Sequence, residues 1–137
     1  MNDLLLKQYI GLIECNNEEI SILANTSAFI MQNFQDISWA GFYLFKNNEL
    51  ILGPFQGKIA CTNIPLDKGV CGKAASTRKT VIVEDVHQFA GHIACDSESN
   101  SEIVIPLIKG NQLYGVLDLD STSFSSCLLY TSDAADD

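Results

Sequence analysis

The residues of this 137-residue chain best suited to chemistry are its thiols and a small set of acids. In Gly115-Val116-Leu117-Asp118-Leu119-Asp120 leucine and aspartate alternate. In an extended strand that alternation sends Leu117 and Leu119 to one face and Asp118 and Asp120 to the other. By the same rule Glu102, just before Ile103 and Ile105, can face away from the side chains directed to the core. Trp39 and Tyr43 share a strand face within the aromatic run ISWAGFYLF. One economical arrangement gathers Trp39, Tyr43, Glu102, Asp118 and Asp120 around a single concavity. An aromatic wall with several carboxylates suits a small cation such as the ammonium group of an amino acid. The competing reading is that Asp118 and Asp120 merely solvate a strand end before a turn.

There are five cysteines: Cys15, Cys61, Cys71, Cys95 and Cys127. The first residues carry no basic cluster ahead of their leucines and no small-residue cleavage site, so no secretory signal is expected. A cytoplasmic location follows as the expectation, and structural disulfides are rare there. An odd number of thiols also fits a fully paired framework poorly. Cys71 falls in the first turn of a short helix, where unpaired N–H groups should lower its pKa. Cys61 and Cys95 fall in loops, hence near the surface. The competing reading makes these three thiols unrelated core residues. A zinc site would recruit His87 and His92, but no C-x-x-C pair exists and Cys spacings of 10 and 24 match no common site, so no metal is expected. The two histidines are read as loop-ordering residues. Glycine-rich phosphate-binding motifs are absent.

Helical and extended periods place these residues. Residues 3 to 14 have a helical stripe at Leu5, Tyr9, Leu12 and Ile13. Asn16 to Glu19 reads as a capping-box-like start for a helix over 18 to 34, with Ile20, Leu23, Ala24, Ser27, Met31 and Phe34 on one face. The period then changes to two over 37 to 45. Asn47-Asn48 should turn the chain into a strand over 49 to 52, closed by Gly53-Pro54. A loop over 53 to 68, a helix over 69 to 78, a strand over 80 to 84 and a polar loop over 85 to 101 follow. The strands 102 to 109 and 112 to 120 are joined at Gly110-Asn111. The sum is an α+β domain in which an antiparallel sheet carries helices on one side.

Acidic residues outnumber basic ones 17 to 8, a net charge of −9. That argues against nucleic acid and anionic membrane surfaces as partners. No apolar run approaches the roughly 20 residues of a membrane span.

The runs Trp39-Ala40-Gly41-Phe42-Tyr43, Leu52-Gly53-Pro54-Phe55-Gln56-Gly57, Lys68-Gly69-Val70-Cys71-Gly72, Gly91-His92-Ile93-Ala94-Cys95-Asp96, Ser101-Glu102-Ile103-Val104 and Gly115 to Ser121 together resemble the free methionine-(R)-sulfoxide reductases. These are GAF-domain proteins. The resemblance spans about residues 3 to 124 and implies a GAF-like antiparallel sheet, with N-terminal helices on one face and a ligand pocket on the other. It implies Cys95 as nucleophile, Cys61 as the foremost resolving thiol, and Cys71 as a second redox cysteine that could share that role. It also implies Trp39, Tyr43, Glu102, Asp118 and Asp120 as the substrate-binding residues. The substrate would be free methionine sulfoxide, reduced by way of a Cys95 sulfenic acid and an intramolecular disulfide. Thioredoxin fed by NADPH would reset the enzyme, with no bound cofactor. A GAF module that senses a small ligand or redox state without turnover is the alternative, although three cysteines exceed what a ligand pocket needs. Residues 125 to 137 depart from the family's acidic, leucine-rich C-terminal helix. This atypical tail is expected to leave the N-terminal stripe without its partner and the chain marginally stable, prone to aggregate, or paired as a homodimer.

Overall fold

From Ile37 onward the period-two segments assemble into a single antiparallel sheet. The computed structural model describes residues 3–15, 17–86 and 100–122. Two helices lead, α1 (Asp3–Glu14) and α2 (Glu19–Asn33). Strands β1 (Ile37–Lys46), β2 (Glu49–Gln56) and β3 (Asn63–Pro65) follow, then helix α3 (Gly69–Thr77) and strands β4 (Val81–Val83), β5 (Ser101–Lys109) and β6 (Gln112–Ser121). The sheet order is β3-β2-β1-β6-β5-β4. Asn47 and Asn48 both take positive φ, 53° and 63°. A tight hairpin whose twist matches its strands needs this conformation, and Asn tolerates it. His87, His92, Cys95, Cys127 and the tail over 125–137 lie outside the described residues.

Each face of the sheet has its own core. On one, α2 packs Leu23, Ile30 and Phe34 against Ala40, Phe42, Ile103, Leu117 and Leu119. On the other, α3 packs Val70, Cys71, Ala74 and Ala75 against Trp39, Tyr43, Val104 and Val116. Leu117 and Leu119 of β6 and Ile103 of β5 thus separate from the acids as alternation requires. The face expected to hold only a pocket also carries α3. No helix among the described residues is long and apolar enough to cross a membrane.

The helices differ in detail from their reading. In α1 only Tyr9 is buried, stacked on Phe29 with ring centroids 4.3 Å apart and hydrogen-bonded to Thr26. Leu6, Ile10 and Ile13 are half-buried with it, while Leu5 and Leu12 are exposed. The stripe is thus rotated by one residue, an ambiguity built into the consecutive Leu4, Leu5 and Leu6. Ile20, placed on the buried face of α2, is 72% exposed. The N-cap of α2 is Glu18, which makes no side-chain capping bond, and Asn16 lies outside the described residues.

Strand β2 runs on through Gly53-Pro54 to Gln56, where a stop was expected. The register explains it. Gly41 faces Phe55 and Tyr43 faces Leu52, so two residues of β2 oppose the single Phe42 of β1. Gly53 and Pro54 form a bulge, one of the places in a sheet where a proline's missing N–H is tolerated. The bulge also changes side-chain parity. Leu52 and Phe55, three residues apart, both join the α3-side core. Phe55 then stacks on Trp39 at 5.2 Å, and Trp39 on Tyr43 at 6.0 Å.

Gly41 makes this stack possible. A Cβ there would lie 2.3 Å from the Phe55 Cβ and 2.9 Å from its Cα, atoms that cannot swing aside. Gly41→Ala should therefore cost about 1–3 kcal/mol of stability through overpacking. Its emission should shift to the red as the single tryptophan, Trp39, is pushed from its niche. Urea denaturation followed by fluorescence measures both. Unchanged midpoint and spectrum would show that the stack does not depend on that missing side chain.

Candidate active site

Strand register brings the acids together. On the α3 face, Asp120 of β6 is flanked by Trp39 of β1 and Glu102 of β5, and Asp118 by Gly41 and Val104. Glu102, Asp118 and Asp120 are only 7%, 5% and 9% exposed. They do not solvate a strand end. Helix α3 closes over them and sets the Cys71 thiol 4.0 Å from a Glu102 carboxylate oxygen. Cys71 Sγ and one oxygen each of Glu102 and Asp118 lie within 4.8 Å of one another, close enough to share a metal ion or a proton.

Burial decides the protonation of this cluster. Removal from water pushes Glu102 well above the usual carboxylate range, and the negative charge of Asp118 adds to the effect. Asp118 is pushed up as well, first by burial and then by Asp120. Glu102 and Asp118 are hydrogen-bonded to each other, and two carboxyl groups bonded in this way hold a proton between them. Asp118 Oδ1 is buried with no hydrogen-bond partner. Such an oxygen is costly to leave bare and is an acceptor waiting for a donor.

The thiols among the described residues fall into two states. Cys61 is half-buried and disulfide-bonded, while Cys71 is a free, buried thiol and Cys15 a free, exposed one just past α1. The expectation that the start of α3 lowers the Cys71 pKa is overturned. Burial raises it well above the usual thiol value, and Asp118, Glu102 and Asp120 raise it further. A helix end supplies about 0.3–1 kcal/mol in favour of an anion, too little to offset loss of water beside three carboxylates.

The aromatic wall contains Trp39 and Tyr43 as expected, and Phe55, which sequence reasoning missed. The strand alone carries no signal for it, because the bulge that turns Phe55 inward is defined by pairing with β1. The polar tips of the wall have work of their own. Trp39 Nε1–H donates to the Lys58 carbonyl at 2.9 Å and Tyr43 Oη–H to the Cys61 carbonyl at 2.9 Å. Burial and the nearby acids keep the Tyr43 hydroxyl protonated, hence a donor. Gly57, at φ 135°, lets the loop pass over Trp39, whose Cδ1 would lie 2.5 Å from any Cβ there.

This arrangement can hold a proton in a closed space, release it to an oxygen, and accept an ammonium group on the bare carboxylate oxygen. A groove of about 420 Å³ lies on the opposite face, lined by apolar residues that include Leu23, Ile105 and Leu107. At its edge Glu19 bonds Lys109 and Tyr114, which ties α2 to the β5–β6 hairpin.

A family model for the GAF domain matches residues 18–133. The free methionine-R-sulfoxide reductase of Escherichia coli K12 is 52% identical over 120 residues, which cover 88% of this chain and 73% of that protein. The reduced form of fRMsr of Staphylococcus aureus is 54% identical and superposes with a TM-score of 0.86, covering 90% of this chain and 80% of that one. A free methionine-R-sulfoxide reductase from Neisseria meningitidis, solved in complex with its substrate, is 43% identical with a TM-score of 0.86 and covers 89% and 74%.

A carboxyl group whose folded pKa is raised binds its proton more tightly in the native state. Stability is full below the ordinary value of 4.5 for Glu102 and declines as pH rises through its higher folded value. Glu102→Gln should flatten that decline and raise the melting temperature of the ligand-free protein at neutral pH. Melting curves from pH 4 to pH 8, a range of about four units, measure it. An unchanged slope in the variant would mean that Glu102 does not carry the shared proton.

Proposed function

Since the chain belongs to the free methionine-R-sulfoxide reductase family of GAF-domain proteins, we propose that it is an oxidoreductase that reduces free L-methionine-(R)-sulfoxide to methionine. The observation that carries this reading is the buried Glu102–Asp118–Asp120 cluster with its shared proton and the bare oxygen of Asp118.

In the proposed reaction the Cys95 sulfur attacks the sulfoxide sulfur. The sulfoxide oxygen takes up a proton from the acid cluster and passes to Cys95 as the sulfoxide bond breaks. Methionine leaves, and Cys95 becomes a sulfenic acid. The thiol of Cys61 then displaces the sulfenic hydroxyl, a disulfide forms, and water departs with the thiol proton. A dithiol protein, thioredoxin recharged by NADPH, reduces the disulfide by exchange. All electrons travel through sulfur, so no bound cofactor or metal is required.

Two features support the parts assigned to the thiols. Residues 87–99, which contain Cys95, are bracketed by Val86 and Asn100, and the Val86 N–H donates to the Asn100 carbonyl at 2.9 Å, two residues from Glu102. Cys61 is disulfide-bonded and Cys71 is not. The raised pKa of Cys71 also makes it a poor attacking thiol, so resolution is assigned to Cys61, and Cys71 forms part of the wall. Selectivity for the free amino acid follows from charge. An ammonium offsets the cost of ionising the buried acids, whereas a blocked amine leaves them uncompensated.

NADPH oxidation in the presence of thioredoxin and its reductase should proceed with the free R sulfoxide and fail with the S form and with N-blocked methionine sulfoxide. Equal rates on the blocked compound would defeat the ammonium argument. Cys95→Ser should abolish even a single turnover. Cys61→Ser should yield one methionine per chain and then stall, and the same stall in Cys71→Ser with Cys61→Ser recycling normally would reverse the assignment.

A further inference from the structure

Trp39 and Tyr43 each carry two independent contacts. Their ring faces stack on each other beside the acids, at 6.0 Å between centroids, and both are almost wholly buried. Their polar edges point the other way, into the loop that leaves β2. Trp39 holds the carbonyl of Lys58 and Tyr43 the carbonyl of Cys61 itself, each at 2.9 Å. Between these anchors the chain is Lys58-Ile59-Ala60-Cys61, with Lys58 and Ile59 exposed to solvent. The Leu52 N–H to the Thr62 carbonyl, at 2.9 Å, pins the loop one residue beyond. The backbone on both sides of the Cys61 sulfur is therefore held to the sheet, and one of the holding groups is the hydroxyl of a residue whose ring forms the site wall.

We propose that Tyr43, assisted by Trp39, is a positioning residue for Cys61: its hydroxyl fixes the resolving cysteine's backbone so that the thiol meets the nucleophile's sulfenic acid. This rests on the reading of Cys61 as the resolving thiol. The step governed is condensation of thiol with sulfenic acid. The Cys61 S–H bond and the sulfenic S–O bond break, the S–S bond forms, and hydroxyl and proton leave as water. Losing one buried hydrogen bond and letting a reacting atom drift are each sufficient to slow such a step about tenfold or more. Because both rings also line the wall, the step is read as the ratio of disulfide formed to sulfenic acid formed, which does not depend on how fast the sulfenic acid arises.

The test compares the full-length wild type with Tyr43→Phe, which removes only the hydroxyl, and with Trp39→Phe, which removes the indole N–H. Reduced protein is mixed with one equivalent of oxidant and quenched at intervals with dimedone, and mass spectrometry then counts trapped sulfenic acid and Cys61 disulfide. Two oxidants are used: methionine-(R)-sulfoxide, which requires the proposed activity, and hydrogen peroxide, which makes the sulfenic acid and water without it. The expected result is that Tyr43→Phe accumulates sulfenic acid with either oxidant and lowers the ratio of disulfide formation to sulfenic acid formation about tenfold or more. Trp39→Phe should move the same ratio in the same direction, which keeps the idea testable if Tyr43→Phe folds poorly. A wild-type ratio in both variants overturns the proposal. No methionine from wild type, with the peroxide ratio still lowered in the variants, would refute the sulfoxide reading and leave the positioning role standing.

Discussion

Burying Glu102, Asp118 and Asp120 side by side works against folding, because each carboxylate gives up water and faces its own kind. The structure answers by raising the proton affinity of Glu102 and Asp118 and letting the two bond to each other. That solution holds only while water stays out, and much of the surrounding architecture serves that end. Helix α3 lies over the acids, and the aromatic rings seal the β1 side. The backbone is drawn close enough that Gly41 has no room for a side chain. A fold optimised for stability alone would place aliphatic residues at these positions. The acids mark the place where stability has been exchanged for function.

The two sides of the sheet divide the labour. The α2 side is a conventional core of Leu, Ile and Phe, and it carries the burden of holding the strands in register. The α3 side can then tolerate a protonated acid pair, a free thiol and a bare oxygen. Alternation along β5 and β6 links the sides, since each acid sits beside an aliphatic residue that anchors the opposite core. A register slip of one residue would exchange the two sets.

Much of this was legible in the residues because strand alternation is a strict code. Leu117, Leu119 and Ile103 went to one side and the acids to the other, and Asn47-Asn48 and Gly110-Asn111 turned where their φ preferences direct. Less legible were features set by distant packing. Three consecutive leucines fit more than one helical phase, and only contact with α2 selects Leu6 over Leu5. Cys71 advertises a helix start, but the sheet beneath it, which governs its pKa, is contributed by residues some 30 to 50 positions later in the chain. Gly53-Pro54 looks like the end of a strand, because a bulge is defined by its partner and no single strand reveals it. The hydroxyl of Tyr43 and the indole N–H of Trp39 were hidden for the same reason: their acceptors are backbone atoms, which carry no residue-type signature.

The bulge in β2 has a consequence for how the gene can vary. Upstream of Gly53-Pro54 inward positions have one parity, and downstream they have the other, so the extra residue is a phase marker in the reading of inside and outside. Losing either Gly53 or Pro54 would close the bulge and leave Phe55 opposite Gly41, still on the face of Leu52. Losing both would make Leu52 and Phe55 neighbours on opposite faces and turn one of them out of the wall. Substitutions here can be graded by size and polarity. Changes of length can be absorbed at the bulge alone, and the rest of strand β2, from Glu49 to Gln56, should therefore accept changes in its letters far more readily than changes in their number.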